Sequence, residues 1–164
     1  MYRMRYLMRV GVISDTHGYM DPRALLLLQE AEHIIHAGDI GDYSIISQLE
    51  QIAPVTKVRG NVDRDGQSAL CPDVEILELA EFKIYLTHEF KPPKTIQDPL
   101  LHNLQSEDFK IVIYGHSHIA YQKTWNDILF FNPGAAGKRR FKVIPSIGLL
   151  LLKESIVESE IVTL

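Results

Sequence analysis

Seven side chains in five short polar clusters have the types and spacing of metal ligands. The clusters are Asp15-Thr16-His17-Gly18, Gly38-Asp39, Gly60-Asn61, Thr87-His88 and Gly115-His116-Ser117-His118. Aspartate, asparagine and histidine offer only oxygen and nitrogen donors, a set that suits Mn²⁺, Fe²⁺, Zn²⁺ or Ni²⁺. A lone Gly-Asp is usually no more than a turn, so a metal site requires the clusters to meet at one place.

The number of candidate ligands indicates two ions rather than one. Seven donors exceed the ordinary coordination of a single ion, and in two-metal hydrolases the ions lie about 3.5–4 Å apart. A carboxylate is the natural bridge between them, and Asp39 is the candidate. Two divalent ions, two carboxylates and one bridging hydroxide leave a charge of about +1, which would attract an anionic phosphoester.

Each polar cluster follows an apolar run, which predicts that buried strands direct the clusters to one place. In the first part of the chain we predict strands at Tyr6–Ile13, His33–Ala37 and Val55–Val58, and helices from Asp21-Pro22 to about Glu32 and over Tyr43–Gln51. This βαβαβ order implies parallel pairing. Ligands bind beyond the carboxyl ends of the strands in such sheets, which is where the clusters fall.

The second part of the chain has the pattern of hairpins. We predict a hairpin of Val74–Leu79 and Phe82–Leu86 around Ala80-Glu81, a helix near Pro99–Leu104, a strand at Ile111–Tyr114, a hairpin of Tyr121–Trp125 and Ile128–Phe131 around Asn126-Asp127, and strands at Ile147–Leu152 and Ser155–Val162. Hairpins add antiparallel strands, so we expect mixed sheets.

Composition narrows the class of protein. The 164 residues are 46% hydrophobic and 23% charged with a net charge of −4, which fits one globular domain over residues 1–164 and gives no basic surface for nucleic acid. Cys71 is the only cysteine, so neither an internal disulfide nor a thiolate-rich zinc site is expected. Met1–Arg9 does not have the pattern of a signal peptide, and no apolar run is long enough to span a membrane. We therefore expect a cytoplasmic protein and leave homo-oligomerisation open.

The order of the clusters resembles that of the calcineurin-like metallophosphoesterases. His36-Ala37-Gly38-Asp39 and Asn132-Pro133-Gly134 resemble their small bacterial and archaeal phosphodiesterase branch. The resemblance implies a four-layer α/β/β/α sandwich with two mixed sheets, and a phosphodiesterase that uses a hydroxide bridging two divalent metals. It implies Mn²⁺ first, with Ni²⁺, Fe²⁺ or Zn²⁺ as alternatives, and a small phosphoester substrate.

The resemblance also implies two ligand sets. One metal would take Asp15, His17, Asp39 and His118, and the other would take Asp39, Asn61, His88 and His116. We expect Asp39, Asn61 and His88 to carry catalysis. Larger family members place a histidine that protonates the leaving group where this chain has Val62. The missing proton donor favours diesters of acidic alcohols such as phenols. An imidazole introduced there could be oriented by Asp63.

Polar residues outside the five clusters have other expected roles. Arg139 and Arg140 are candidate contacts for the substrate phosphate, against the alternative of a solvated basic loop. We expect His33 and His102 at the surface. We expect His36 to be packed at a strand end or to support a ligand residue, and Asp42, Asp63 and Asp65 to be acids that lie in loops or support the ligands.

Two other functions fit the sequence less well. A scaffold, as in a eukaryotic retromer subunit of this fold, would not need seven donors. A nuclease would need a basic stripe interleaved with aromatic residues.

Overall fold

The computed structural model describes residues 7–164. The strands are β1 (Leu7–Ile13), β2 (His33–His36), β3 (Val55–Lys57), β4 (Val74–Leu79), β5 (Phe82–Thr87), β6 (Ile111–Ile113), β7 (Tyr121–Trp125), β8 (Ile128–Asn132), β9 (Ser146–Lys153) and β10 (Ile156–Thr163). The helices are α1 (Pro22–Leu27), α2 (Ser44–Glu50) and α3 (Pro99–Ser106), with a 3₁₀ turn at Ser68–Leu70.

The strands form two five-stranded sheets, in the orders β10-β9-β1-β2-β3 and β4-β5-β6-β8-β7. In the first sheet β1, β2 and β3 are parallel, as the βαβαβ pattern predicts. In the same sheet β9 pairs antiparallel with β1, and β10 extends it as a hairpin partner. In the second sheet β5, β6 and β8 are parallel, and β4 and β7 join them antiparallel. The prediction of mixed sheets is confirmed.

Three apolar cores arrange these elements in four layers. The central core lies between the sheets, where side chains such as Val10, Val12 and Leu150 meet Ile84 and Phe131. On the outer face of the first sheet, α1 and α2 form a second core, and on the outer face of the second sheet α3 forms a third. The predicted α/β/β/α sandwich is therefore confirmed. Within the described residues, no helix has the length and apolar character needed to cross a membrane.

Backbone conformation explains the hairpin turns, and a contact between strands explains one wrong prediction. Ala80-Glu81 and Asn126-Asp127 both have positive φ, as expected for two-residue hairpin turns. The α1 helix ends at Leu27 rather than near Glu32, because the Glu32 backbone N–H donates to the Arg9 carbonyl of β1 (2.8 Å) and starts β2 instead. The other predicted ends match or differ by at most two residues, apart from Tyr6, which lies outside the described residues.

Candidate metal centre

The five polar clusters follow β1, β2, β3, β5 and β6, and backbone hydrogen bonds tie them together. The Asp15 and His17 backbone N–H groups donate to the carbonyls of Gly38 and Asp39, both at 3.0 Å. Across the gap between the sheets, the His88 Nδ1–H donates to the Ala37 carbonyl (2.7 Å). Residues from both sheets therefore converge at one edge of the sandwich, as the sequence predicted.

The backbone at this edge is strained. Of the seven predicted ligands, five adopt left-handed φ angles although none is glycine, namely Asp15 (53°), His17 (46°), Asp39 (53°), His116 (68°) and His118 (61°). Such angles are uncommon for residues with a side chain, and they cluster at functional sites. Gly60 is required here, because a Cβ atom at that position would collide with the Asp39 carboxylate.

The first set of donors is formed by Asp15, His17, Asp39 and His118, whose ligand atoms all lie within 4.8 Å of one another. Asp15 Oδ1 is 3.3 Å from His118 Nε2, and Asp39 Oδ2 is 3.6 Å from His17 Nε2. Asp15 is fully buried, yet its Oδ1 has no hydrogen-bond partner. A buried carboxylate oxygen without a donor is costly unless a cation compensates it, so these residues fit a divalent ion.

The second predicted set is Asp39, Asn61, His88 and His116. His88 Nε2 lies 3.3 Å from Asp39 Oδ2 and 3.0 Å from Asn61 Oδ1. His116 Nδ1 lies 3.1 Å from the same Asn61 oxygen. Asp39 Oδ2 thus lies against donors of both sets. Asp39 and His88 are buried, whereas Asn61 and His116 are exposed, so the site opens to solvent at this end.

The lowered pKa values of Asp39 and His17 suit cation binding, whereas that of His88 is raised. Burial acts to raise the pKa of Asp39, but hydrogen bonds from His88 and the Val62 N–H outweigh it and the pKa is lowered, so the carboxylate is an anion. For His88 burial acts to lower the pKa, but the hydrogen bonds to Asp39 and to the Ala37 carbonyl outweigh it and the pKa is raised. Burial lowers the pKa of His17, and the charge of Arg140 adds to that effect. Because a ligating imidazole must be neutral, the raised pKa of His88 acts against metal binding as the pH falls.

Asp63 supports the site, which is one of the two roles expected of it from the sequence. Its carboxylate is buried and accepts three backbone N–H bonds, from Ile40 (3.0 Å), Gly41 (2.9 Å) and Gly60 (2.8 Å). These bonds join the loop that carries Asp39 to the loop that carries Asn61. The only signal in the sequence was an acid two residues after Asn61. That Asp63 could orient an imidazole at position 62 stays a prediction, since its Oδ1 accepts only one of the three bonds.

Two other residues hold the loops of the first set. Ser14 Oγ donates to Asp15 Oδ2 (2.7 Å), which also accepts from the His116 backbone N–H (3.1 Å). Asn132 Nδ2 donates to the Gly115 carbonyl (2.9 Å), and its Oδ1 accepts from the Gly134 N–H (2.9 Å). The two bonds to Asp15 Oδ2 leave Oδ1 as the oxygen that faces the cavity. The two bonds of Asn132 hold the Asn132-Pro133-Gly134 turn at the end of β8 against the loop that begins at Gly115.

The remaining polar predictions have mixed outcomes. His36 is packed at the end of β2 as predicted: it is fully buried, its Nε2–H donates to Thr16 Oγ1 (3.0 Å), and burial lowers its pKa to about 4. His102 is exposed as predicted. The surface prediction for His33 is wrong, because it is half-buried and its Nε2 lies 2.8 Å from Thr56 Oγ1. Asp42 and Asp65 are exposed loop acids.

The positions that would face substrate lie around this centre. Arg139 and Arg140 are exposed and line a small cavity together with Asp15, His17 and His118. Val62 donates its N–H to Asp39 Oδ1 (3.0 Å), while its side chain is 42% exposed. The cations and the apolar side chain at position 62 are therefore available to a ligand.

Known proteins resemble this chain over most of its length. The model of the calcineurin-like phosphoesterase superfamily domain matches residues 8–155. A probable metallophosphoesterase of Methanothermobacter thermautotrophicus is 30% identical over 160 residues, covering 94% of this chain and 92% of that protein. A phosphodiesterase of Methanocaldococcus jannaschii is 26% identical over 159 residues, covering 87% of this chain and 92% of that protein.

The fold comparison agrees. The structure of an archaeal phosphodiesterase superimposes with a TM-score of 0.74 at 25% identity, covering 94% of this chain and 100% of that chain. Sequence and fold therefore point to the same group of proteins.

Proposed function

The chain belongs to the calcineurin-like phosphoesterase superfamily, and we propose that this metallophosphoesterase is a dinuclear phosphodiesterase. The observation that supports the dinuclear form most directly is the position of Asp39. Its Oδ2 lies 3.6 Å from His17 and 3.3 Å from His88, which belong to different donor sets. One carboxylate between two sets of donors is the arrangement that a bridging ligand requires.

We assign one divalent ion to Asp15, His17, Asp39 and His118, and the other to Asp39, Asn61, His88 and His116. Mn²⁺ is the first candidate, because the oxygen and nitrogen donors suit it, with Ni²⁺, Fe²⁺ or Zn²⁺ as alternatives. Two bound ions would supply a nucleophile from water at neutral pH and offset negative charge on the phosphoryl oxygens.

The residues of the chain position these groups. The His88 Nδ1–H is held by the Ala37 carbonyl, which leaves Nε2 free to face Asn61 and Asp39. Asp15 is held through Oδ2, which leaves Oδ1 facing the cavity. Arg139 and Arg140 would bind the substrate phosphate, because both line the cavity beside the first donor set.

A diester is favoured over a monoester for two reasons. The related protein of Methanocaldococcus jannaschii and the archaeal protein of similar fold are both phosphodiesterases by name. In this chain no proton donor stands at position 62, because Val62 has no titratable group. A leaving group that is stable as an anion is therefore preferred.

We further propose one domain over residues 1–164, because both sheets contribute to a shared central core. A cytoplasmic location is supported by the single cysteine, since secreted domains commonly rely on disulfides. The substrate is proposed to be small, and homo-oligomerisation stays open.

The test is metal analysis followed by a panel of aryl and alkyl phosphodiesters with each candidate metal. We expect two ions per chain and turnover of aryl diesters. Asp39→Asn should lose most bound metal and activity while the circular-dichroism spectrum is retained. Asp65→Asn is the matched control, because Asp65 is an exposed acid in a loop near the site. Near-normal metal content and turnover in Asp39→Asn would refute the bridging role.

A further inference from the structure

Phe141 is placed where neither packing nor backbone preference explains an aromatic residue. Its side chain is 99% exposed, the largest exposed fraction among the large apolar side chains of the described chain. It follows Arg140 in a tight turn that the Val143 N–H closes by donating to the Arg140 carbonyl (3.1 Å).

The backbone of this turn disfavours phenylalanine. Phe141 has φ of 52°, and the second position of a turn with positive φ is normally taken by glycine, asparagine or aspartate. A bulky residue there is an outlier, and outliers of this kind concentrate at sites of binding. Since burial contributes nothing to Phe141, its aromatic ring is available for contact with a ligand.

The turn is next to the metal centre. The two residues before Phe141 are Arg139 and Arg140, which line the cavity with Asp15, His17 and His118. Lys138 and Lys142 are also exposed, so the segment that carries Phe141 is rich in cations. Cations suit the phosphate of a substrate, and an exposed ring suits a flat group attached to that phosphate.

We propose that Phe141 is a specificity-determining residue, which stacks on an aromatic group carried by the phosphoester while Arg139 and Arg140 contact the phosphate. The aromatic group is either an aryl ring or a nucleobase, since both present a flat face. This inference rests on the proposed function and deepens it by naming the substrate class.

Calorimetric binding to Mn²⁺-loaded protein tests the contact without relying on turnover. Two pairs of ligands differ by a ring: phenylphosphonate against methylphosphonate, and adenosine 5′-monophosphate against ribose 5-phosphate. We expect the ligand with the ring to bind about threefold to tenfold more tightly in at least one pair. Phe141→Ala should remove that preference and leave binding of methylphosphonate unchanged, whereas Phe141→Trp should keep the preference.

Leu70→Ala is the matched control, because Leu70 is 84% exposed but lies in the 3₁₀ turn beside Val55 and Cys71. If Phe141→Ala loses the preference only in the phenyl pair, the aromatic group of the substrate is an aryl ring. If it loses the preference in the nucleotide pair, the aromatic group is a nucleobase. An unchanged preference in Phe141→Ala, or none in the wild type, overturns the proposal. Diester turnover is measured in parallel: turnover without a ring preference refutes only the role of Phe141, and a ring preference without turnover refutes only the phosphodiesterase.

Discussion

Replacing Asp63 with alanine should weaken both the fold and metal binding. The buried carboxylate accepts three backbone N–H bonds, from Ile40, Gly41 and Gly60, and it joins the loops that carry Asp39 and Asn61. Alanine leaves these N–H groups without their acceptor. The two loops are then free to separate, and the donors of the second set lose their spacing.

The magnitude follows from the type of hydrogen bond. A hydrogen bond to a charged group contributes roughly 1.5–3 kcal/mol, and three that share one carboxylate are not additive. In the variant, water can enter this loop near the surface and partly replace the lost hydrogen bonds. We therefore expect Asp63→Ala to lower the free energy of unfolding by about 3–5 kcal/mol. In Asp63→Asn the amide oxygen can keep the Ile40 and Gly60 bonds at the Oδ2 position, while the amide nitrogen faces the Gly41 N–H. That variant should lose about 1.5–3 kcal/mol.

Urea unfolding of metal-free protein measures both variants, and metal titration follows. Loss of a residue that supports metal ligands typically weakens metal affinity by about 10-fold to 100-fold. Asp65→Ala is the control, because Asp65 is exposed in the same loop and should change stability by less than about 0.5 kcal/mol. If the free energy of unfolding of Asp63→Ala lies within about 1 kcal/mol of the wild-type value, the three hydrogen bonds do not hold the loops as we infer.

Three further predictions concern single positions. His88→Ala and His118→Ala should each keep one tight metal site and lose a different one; wild-type stoichiometry in both would contradict the assignment. The wild-type rate should depend steeply on leaving-group pKa. Val62→His should flatten that dependence by speeding the release of poor leaving groups, within the roughly 10²–10⁴-fold range of a general acid; parallel plots would count against a missing acid. Asp21 caps α1 by accepting from the Arg23 N–H (2.8 Å), so Asp21→Ala should cost about 1 kcal/mol at pH 7. Hydrogen bonding from Arg23 lowers the pKa of Asp21, so this difference should shrink as pH falls through the folded-state pKa in urea unfolding; a constant difference down to pH 3 would exclude the charged cap.

Local sequence patterns predicted most of the strands and the hairpin turns. The hairpins around Ala80-Glu81 and Asn126-Asp127 and the parallel β1, β2 and β3 are present as predicted. The error in the length of α1 has a nonlocal cause, since the apolar run continues but Glu32 pairs with Arg9. The antiparallel pairing of β9 with β1 could not be predicted, because it joins residues about 140 positions apart and leaves no local pattern.

By itself the sequence determined the chemistry of the centre, because donor type is a property of each residue and an apolar strand before each cluster directs it to the same edge of a sheet. The sequence already suggested that Asp39 is shared, but only tertiary structure decided the distances at which the donors are held. It placed Asp39 Oδ2 between His17 and His88, and it turned the Asp63 carboxylate toward three backbone N–H groups. It also brought the turn at Phe141 beside the cavity. These features are distances between atoms from separate segments, and such distances depend on how the two sheets pack, which residue spacing along the chain does not encode.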